Sequence, residues 1–171
     1  MAEQLIISVS GMRGIIGENL TASIAVEYGS AFGTYLKNRL QRDTQHAAQN
    51  AISVCIGMDS RPSGEMLKSA VTAGLCAAGI DVIDLGIVTT PCVGVMVREL
   101  ACVGGVVITA SHNPIAYNGI KLLLDNGVAP PVTEAEKIKR HFLEKNLSLA
   151  DSVHCGTGGA TPLSSSSFMP L

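Results

Sequence analysis

Gly105 to Thr109 is a run of buried-type residues, and it opens directly into Ala110, Ser111, His112, Asn113 and Pro114. A strand that breaks into the turn formers Asn113 and Pro114 leaves the intervening Ser111 hydroxyl exposed at a strand end. In open α/β sheets that edge is where ligands bind, which suits Ser111 to act as a nucleophile or as a phosphate carrier. The same residues also describe a plain polar turn with Ser111 as a local cap, and spacing alone leaves the two readings level.

The neighbouring groups narrow the chemistry. Residues adjacent on an extended chain point apart, and no G-x-S-x-G elbow surrounds the serine, so His112 does not read as the base of a Ser-His hydrolase. It can bind a phosphate, help move a proton, or serve as a structural hydrogen-bonding residue. Lys121, on the next apolar run, can take a proton from a hydroxyl where burial or nearby positive charge holds its amine neutral, although most lysines are simply solvated.

Two other Gly-rich segments carry arginines, Arg13 in GMRGIIG and Arg61 in GMDSRPSGE. The planar guanidinium fork donates two parallel hydrogen bonds to a phosphate, and glycine neighbours let the backbone approach a ligand closely. Brought to one sheet edge, the two would form an anion site. Read singly, Arg13 is a surface-loop residue and Arg61 an ion pair with Asp59.

Other chemistries fit poorly. GMRGIIG has the wrong spacing for a dinucleotide fingerprint, and Cys155 to Pro162 has glycines without the Lys-Ser/Thr ending of a phosphate-binding P-loop. His46, His112, His141 and His154 fall into no metal-ligand spacing, no Cys-x-x-Cys occurs, and no aspartate cluster suits a divalent cation. This chain alone is not expected to complete a metal site.

The elements needed to hold these groups follow from periodicity. Leu5 to Val9 reads as a strand, Ser10 to Leu20 as its loop, and Thr21 as the cap of an amphipathic helix reaching about Leu40. A strand over Ile52 to Gly57 leads to a helix from Ser63 or Gly64, with Gly79 as its stop. Asp81 to Leu85 is a third strand, Val93 to Leu100 a short helix, and Gly119 to Leu124 a strand ending in the turn Asp125, Asn126, Gly127. Thr133 and Glu136 are spaced as a capping box for a last helix to Lys145. The alternation implies a three-layer α/β/α domain with a mixed, mostly parallel sheet, the strands either side of Ser111 forming one antiparallel pair. Residues 1–146 form this domain, and 147–171, rich in Gly and Ser, read as a linker or a non-native tail.

Composition agrees. The chain has 171 residues, 47% hydrophobic and 15% charged, enough to bury one core. A net charge of −2 offers no basic face to nucleic acid, and no apolar run reaches the roughly 18 residues of a membrane span. Five widely spaced cysteines read as reduced thiols, which points to the cytoplasm.

Three segments in order, SGMRGIIG followed by LT, GMDSRPSGEML and TASHNPIAYNGIKL, resemble the first domain of the α-D-phosphohexomutase superfamily over about residues 5–145. The resemblance implies that Ser111 is the phosphorylated serine, that its phosphate is one ligand of Mg²⁺, and that Arg13, Lys121 and His112 act beside it. Arg61, Asn113 and Asn118 are then expected in substrate or phosphate binding, with Met58 standing where the family more usually has arginine. The family's later domains, with an aspartate loop of DGDxDR type and a sugar loop of GExSGH type, have no counterpart in this sequence. The resemblance therefore implies an isomerase that interconverts hexose 1- and 6-phosphates, glucosamine or glucose favoured, of which this chain is an inactive part. A stand-alone sugar-phosphate-binding module and a split-enzyme subunit are the alternatives.

Overall fold

A computed structural model describes residues 5–42 and 52–160. The chain order is β1 (Ile6–Ser8), β2 (Gly11–Ile15), α1 (Ala22–Arg42), β3 (Ser53–Met58), α2 (Gly64–Ala77), β4 (Asp81–Ile87), α3 (Thr90–Glu99), β5 (Gly104–Ile108), β6 (Tyr117–Leu124), α4 (Val132–Leu143) and β7 (Gly158–Ala160). The seven strands form one mixed sheet in the order β1-β2-β6-β5-β3-β4-β7. Pairings on the β1 side, out to β5, are antiparallel, and those joining β5, β3, β4 and β7 are parallel.

Alternation along the central strands builds two cores. Val54, Ile56, Val106, Ile108, Ile120 and Leu122 point to a face covered by α1, α2 and α4. Cys55, Val107 and Leu123 point the other way, onto Val93 and Val97 of α3. This is the period-2 pattern of a sheet buried on both faces. Helices α1 and α2 touch through their backbones: a Cβ on Gly74 would lie 2.1 Å from the Val26 carbonyl oxygen, and one on Gly29 2.6 Å from that of Val71. Only glycine permits that approach, and the buried Ser30 hydroxyl donates to the Gly74 carbonyl across it at 3.1 Å.

The α/β layers match the sequence-based expectation, and three details differ. The segment read as a loop after the first strand contains β2, which lies between β1 and β6 with Met12 opposite Ile120 and Arg13 opposite Gly119. This strand makes the sheet evenly mixed where it was expected to be mostly parallel. The last helix begins at Val132 with Pro131 as its N-cap and no side-chain cap bond, so Thr133 and Glu136 form no capping box. Residues 147–160 are also more than a tail. Leu147 packs on the main core, and β7 pairs with β4; residues 161–171 lie outside the described residues.

Candidate active site

Because β3, β4 and β5 run parallel, their carboxyl ends Met58, Ile87 and Ile108 open on one edge. Strand β6, antiparallel to β5, begins at that edge, and β2 ends there with Ile15 opposite Tyr117. The edge therefore collects the loop after β5, the loop after β3 and the end of β2, which carry Ser111, Arg61 and Arg13. This is the crevice position at which open α/β sheets bind ligands.

Ser111 sits at the apex of the β5–β6 connection with φ +57°, in the left-handed region that disfavours a side chain. Its amide donates to the Thr109 hydroxyl at 2.9 Å. The Asn113 side-chain and backbone N–H groups both donate to the Ala110 carbonyl, at 2.7 and 3.1 Å. The turn therefore closes on itself below the serine and leaves Ser111 exposed. The left-handed bend also brings the exposed His112 ring near, with Nδ1 3.5 Å from Ser111 Oγ, contrary to the divergence expected of neighbours on an extended chain. No carboxylate meets this ring among the described residues, so there is no acid–histidine–serine relay.

Arg13 and Lys121 share one face of the sheet. Arg13 is opposite Gly119 on β6, and Lys121 lies two residues further along β6, on the same side as Gly119. Gly119 keeps these strands close: a Cβ there would lie 2.8 Å from the Met12 carbonyl oxygen and 2.9 Å from that of Thr109. Lys121 is paired with Val107, about 7 Å of strand below Thr109, a span that an extended lysine stem covers. Arg13 also lines a shallow cleft with Asn19, Asn113 and Tyr117. Neither the Arg13 nor the Lys121 side chain donates to another described residue, which leaves both available to a ligand.

Arg61 behaves differently. Its side chain is 12% exposed and paired with Asp59. Its Nη atoms donate to the carbonyls of Pro114, Tyr117, Ser111 and Asn113. Of the two sequence readings, the ion pair is the one observed, and the expected anion contact from Arg61 is not available. Asn118 is also structural: fully buried, it donates from Nδ2 to the Ser63 hydroxyl at 2.9 Å and accepts from the Gly119 amide at 2.8 Å. Asn113 shapes the turn. Sequence reasoning passed over Thr109, whose hydroxyl holds the Ser111 amide; a threonine two residues before a serine in a turn is the local signal for it.

The site offers little to a divalent cation. No group of three or more His, Cys, Asp or Glu side chains comes together among the described residues, and the nearby Asp59 carboxylate is engaged by Arg61. The residues present supply at most one phosphoryl oxygen, on Ser111, and do not fit a complete metal site.

An α/β/α domain is what the comparisons also return. Residues 4–148 match the family model described as phosphoglucomutase/phosphomannomutase, alpha/beta/alpha domain I. The chain belongs to this family. A phosphoglucomutase/phosphomannomutase of Thermococcus kodakarensis is 47% identical over 69% of this chain and 24% of its own length. A phosphoglucosamine mutase of Alkaliphilus metalliredigens is 41% identical over 78% of this chain and 28% of its own. The crystal structure of a phosphoglucomutase/phosphomannomutase family protein of Burkholderia thailandensis superposes with TM-score 0.72 and 28% identity, over 91% of this chain and 33% of that one. The chain thus spans about a quarter of the length of the curated relatives it matches.

Proposed function

We propose that this chain is the phosphoserine-bearing domain of an enzyme that moves a phosphoryl group between the C1 and C6 oxygens of a hexose, glucosamine or glucose phosphates being the substrate class. The observation that carries the reading is Ser111, exposed at the ligand edge in a left-handed turn, with the uncommitted cations Arg13 and Lys121 on adjoining strands. In the transfer, the bond from phosphorus to Ser111 Oγ breaks as one to a sugar hydroxyl oxygen forms. The hydroxyl proton passes to Lys121 in its neutral amine form, and His112, beside Oγ, returns a proton to the released Ser111 oxygen. Arg13 donates to the phosphoryl oxygens, where stabilising charge gives phosphoryl transfer most of its rate. The second phosphate of the bisphosphate intermediate then returns to Ser111.

In this reading Mg²⁺ would be held by a phosphoryl oxygen on Ser111 and by ligands from a further domain of the same or another polypeptide, and would neutralise charge on that group. Those further domains also supply sugar recognition, so the isolated chain has negligible turnover between monophosphates, whereas a single slow phosphoryl transfer to Ser111 from excess bisphosphate asks only for the groups of this domain. Cytoplasmic placement is part of the same proposal and rests on the odd number and wide spacing of the cysteines. The test is to incubate the chain with a hexose 1,6-bisphosphate and map the modification by intact-mass and peptide analysis. One phosphoryl group on Ser111, absent in Ser111→Ala, supports the reading; no uptake, or uptake elsewhere, overturns it. Normal turnover of glucose 1-phosphate by this chain would overturn its inactivity.

A further inference from the structure

We propose that Arg61 is a positioning residue that fixes the backbone conformation from which Ser111 reacts, and that it is not a phosphate ligand. The inference rests on the reading of Ser111 as the phosphoryl carrier and adds to that site a residue acting through the loop backbone.

A guanidinium has five N–H donors in a rigid fork. In Arg61 the Nε–H is directed to Asp59 Oδ2 at 3.3 Å, Nη1 serves the carbonyls of Pro114 and Tyr117 at 2.8 and 3.0 Å, and Nη2 serves those of Ser111 and Asn113 at 3.0 and 2.7 Å. Five donors meet five acceptors, and none is left for a ligand. The Asp59 carboxylate also offsets the positive charge, so the pair adds little attraction for an anion. Arg13 and Lys121, on the neighbouring strands, have no such commitments.

The acceptors show what the arrangement does. Four of the five are carbonyls of one loop between Ser111 and Tyr117, so a single rigid group gathers the whole connection. The Ser111 carbonyl is held by Arg61 and its amide by Thr109, which fixes the peptide units on both sides of a residue at φ +57°. A left-handed serine is strained and persists only where its surroundings over-determine it. The strut is itself rooted in the sheet. Asp59 accepts from the Arg61 amide at 3.1 Å and donates its own amide to the Ile108 carbonyl at 3.0 Å, tying the end of β3 to the end of β5. Lysine cannot replace this geometry, since its ammonium is a point charge without a planar fork.

The experiment compares the wild-type chain with Arg61→Gln and Arg61→Lys in three readouts. First, the Arg61 side-chain N–H resonances of the wild type are expected to be resolved and unmoved by inorganic phosphate, while those of Arg13 shift; a larger shift at Arg61 overturns the proposal. Second, amide exchange over residues 111–117 is expected to accelerate at least about tenfold in both variants while amides of β3 and β5 stay within about twofold, a contrast between local and global opening. Unchanged exchange in the loop overturns it. Third, Ser111 phosphorylation by a hexose 1,6-bisphosphate is expected to slow by about 100-fold at saturating donor with the half-saturation concentration unchanged, the cost of a misplaced reacting atom. Raised half-saturation with an unchanged limiting rate, or rescue by Arg61→Lys, marks a phosphate ligand and overturns it. If the wild type takes no phosphate, the functional reading fails, and the first two readouts still decide the role of Arg61.

Discussion

The Arg61 guanidinium, at the end of β3, donates to the carbonyl of Ser111, beyond the end of β5, at 3.0 Å. Two loops fifty residues apart in sequence are thereby locked at the sheet edge, and the lock acts on the one residue of the loop that is held in a left-handed conformation. Function and stability pull in opposite directions at such a position.

Ser111→Gly is therefore expected to be more stable than Ser111→Ala by about 1 kcal/mol, since glycine enters the left-handed region freely and alanine does not. Both lose the phosphorylatable hydroxyl. Urea denaturation of the two variants side by side measures this, and equal midpoints would show that the turn relaxes once the hydroxyl is gone.

Lys68 ties α2 to β4. Its side chain is 10% exposed, with Nζ 2.6 Å from Asp84 and 3.0 Å from Glu65. Burial alone would lower its pKa, but the hydrogen bonds to Asp84 and Glu65 outweigh it and raise the value above that of a free lysine. A raised pKa stabilises the fold fully below the unfolded value, near 10.5, and the contribution disappears as pH rises through the folded one. Lys68→Met should cost about 2 kcal/mol at neutral pH, less than a fully buried pair because Glu65 and Asp84 keep some water. Denaturation at pH 7 and above pH 11 checks it: the deficit should shrink at the higher pH, and a constant deficit would mean that packing dominates.

Glu134 clasps α4 to α1. It accepts from Lys137 Nζ at 2.7 Å and from the Tyr35 hydroxyl at 2.6 Å, and these bonds, Lys137 first, hold its carboxyl below the usual range. A depressed carboxylate pKa stabilises above the unfolded value and is lost as pH falls through the folded one. Tyr35→Phe should then cost about 1 kcal/mol at pH 7 and much less at pH 3. Thermal melts of wild type and variant at the two pH values give the comparison, and a difference independent of pH would rule out the carboxylate as partner.

The elements that sequence reasoning reached are those whose side chains carry the pattern. Strands β3, β5 and β6 alternate between two apolar faces, and α1 and α2 keep helical spacing, so the layers and the placement of Ser111 at a strand end follow from period alone. Strand β2 escaped because Gly11 and Gly14 interrupt any alternation, and its extended form comes from long-range pairing on both edges. The false capping box shows the same limit: Thr133 and Glu136 have the spacing, but the chain enters α4 through Pro131, and the Glu136 carboxylate lies 3.7 Å from Lys139 Nζ. Arg61 is the instructive site residue. Its identity and its place at a strand end were legible, but whether a guanidinium meets a ligand or a loop depends on where carbonyls 111–117 point, which no spacing rule contains.

The segment after α4 gives the sharpest separation between composition and structure. Gly158–Ala160 has almost no side chain to bury, yet it completes the sheet beside β4. The link is made by Thr157, whose amide and hydroxyl both donate to Asp81 Oδ1 at 2.6 and 2.8 Å, while its carbonyl accepts from the Val82 amide at 2.7 Å. Further back, the amides of Ala150 and Gly156 donate to the carbonyls of Ala77 and Cys76, closing the end of α2. At about 1 kcal/mol per bond, less the cost of ordering the segment, cutting the chain after Asn146 should destabilise it by roughly 2–3 kcal/mol. Asp81→Ala in the full chain should reproduce about half of that loss, because it removes the acceptor and leaves the β4 backbone bonds. Urea midpoints of the truncated chain, the variant and the wild type order these effects. If the chain ending at Asn146 matched the wild type, the strand would be a passive appendage; a deficit shared with Asp81→Ala makes it part of the domain.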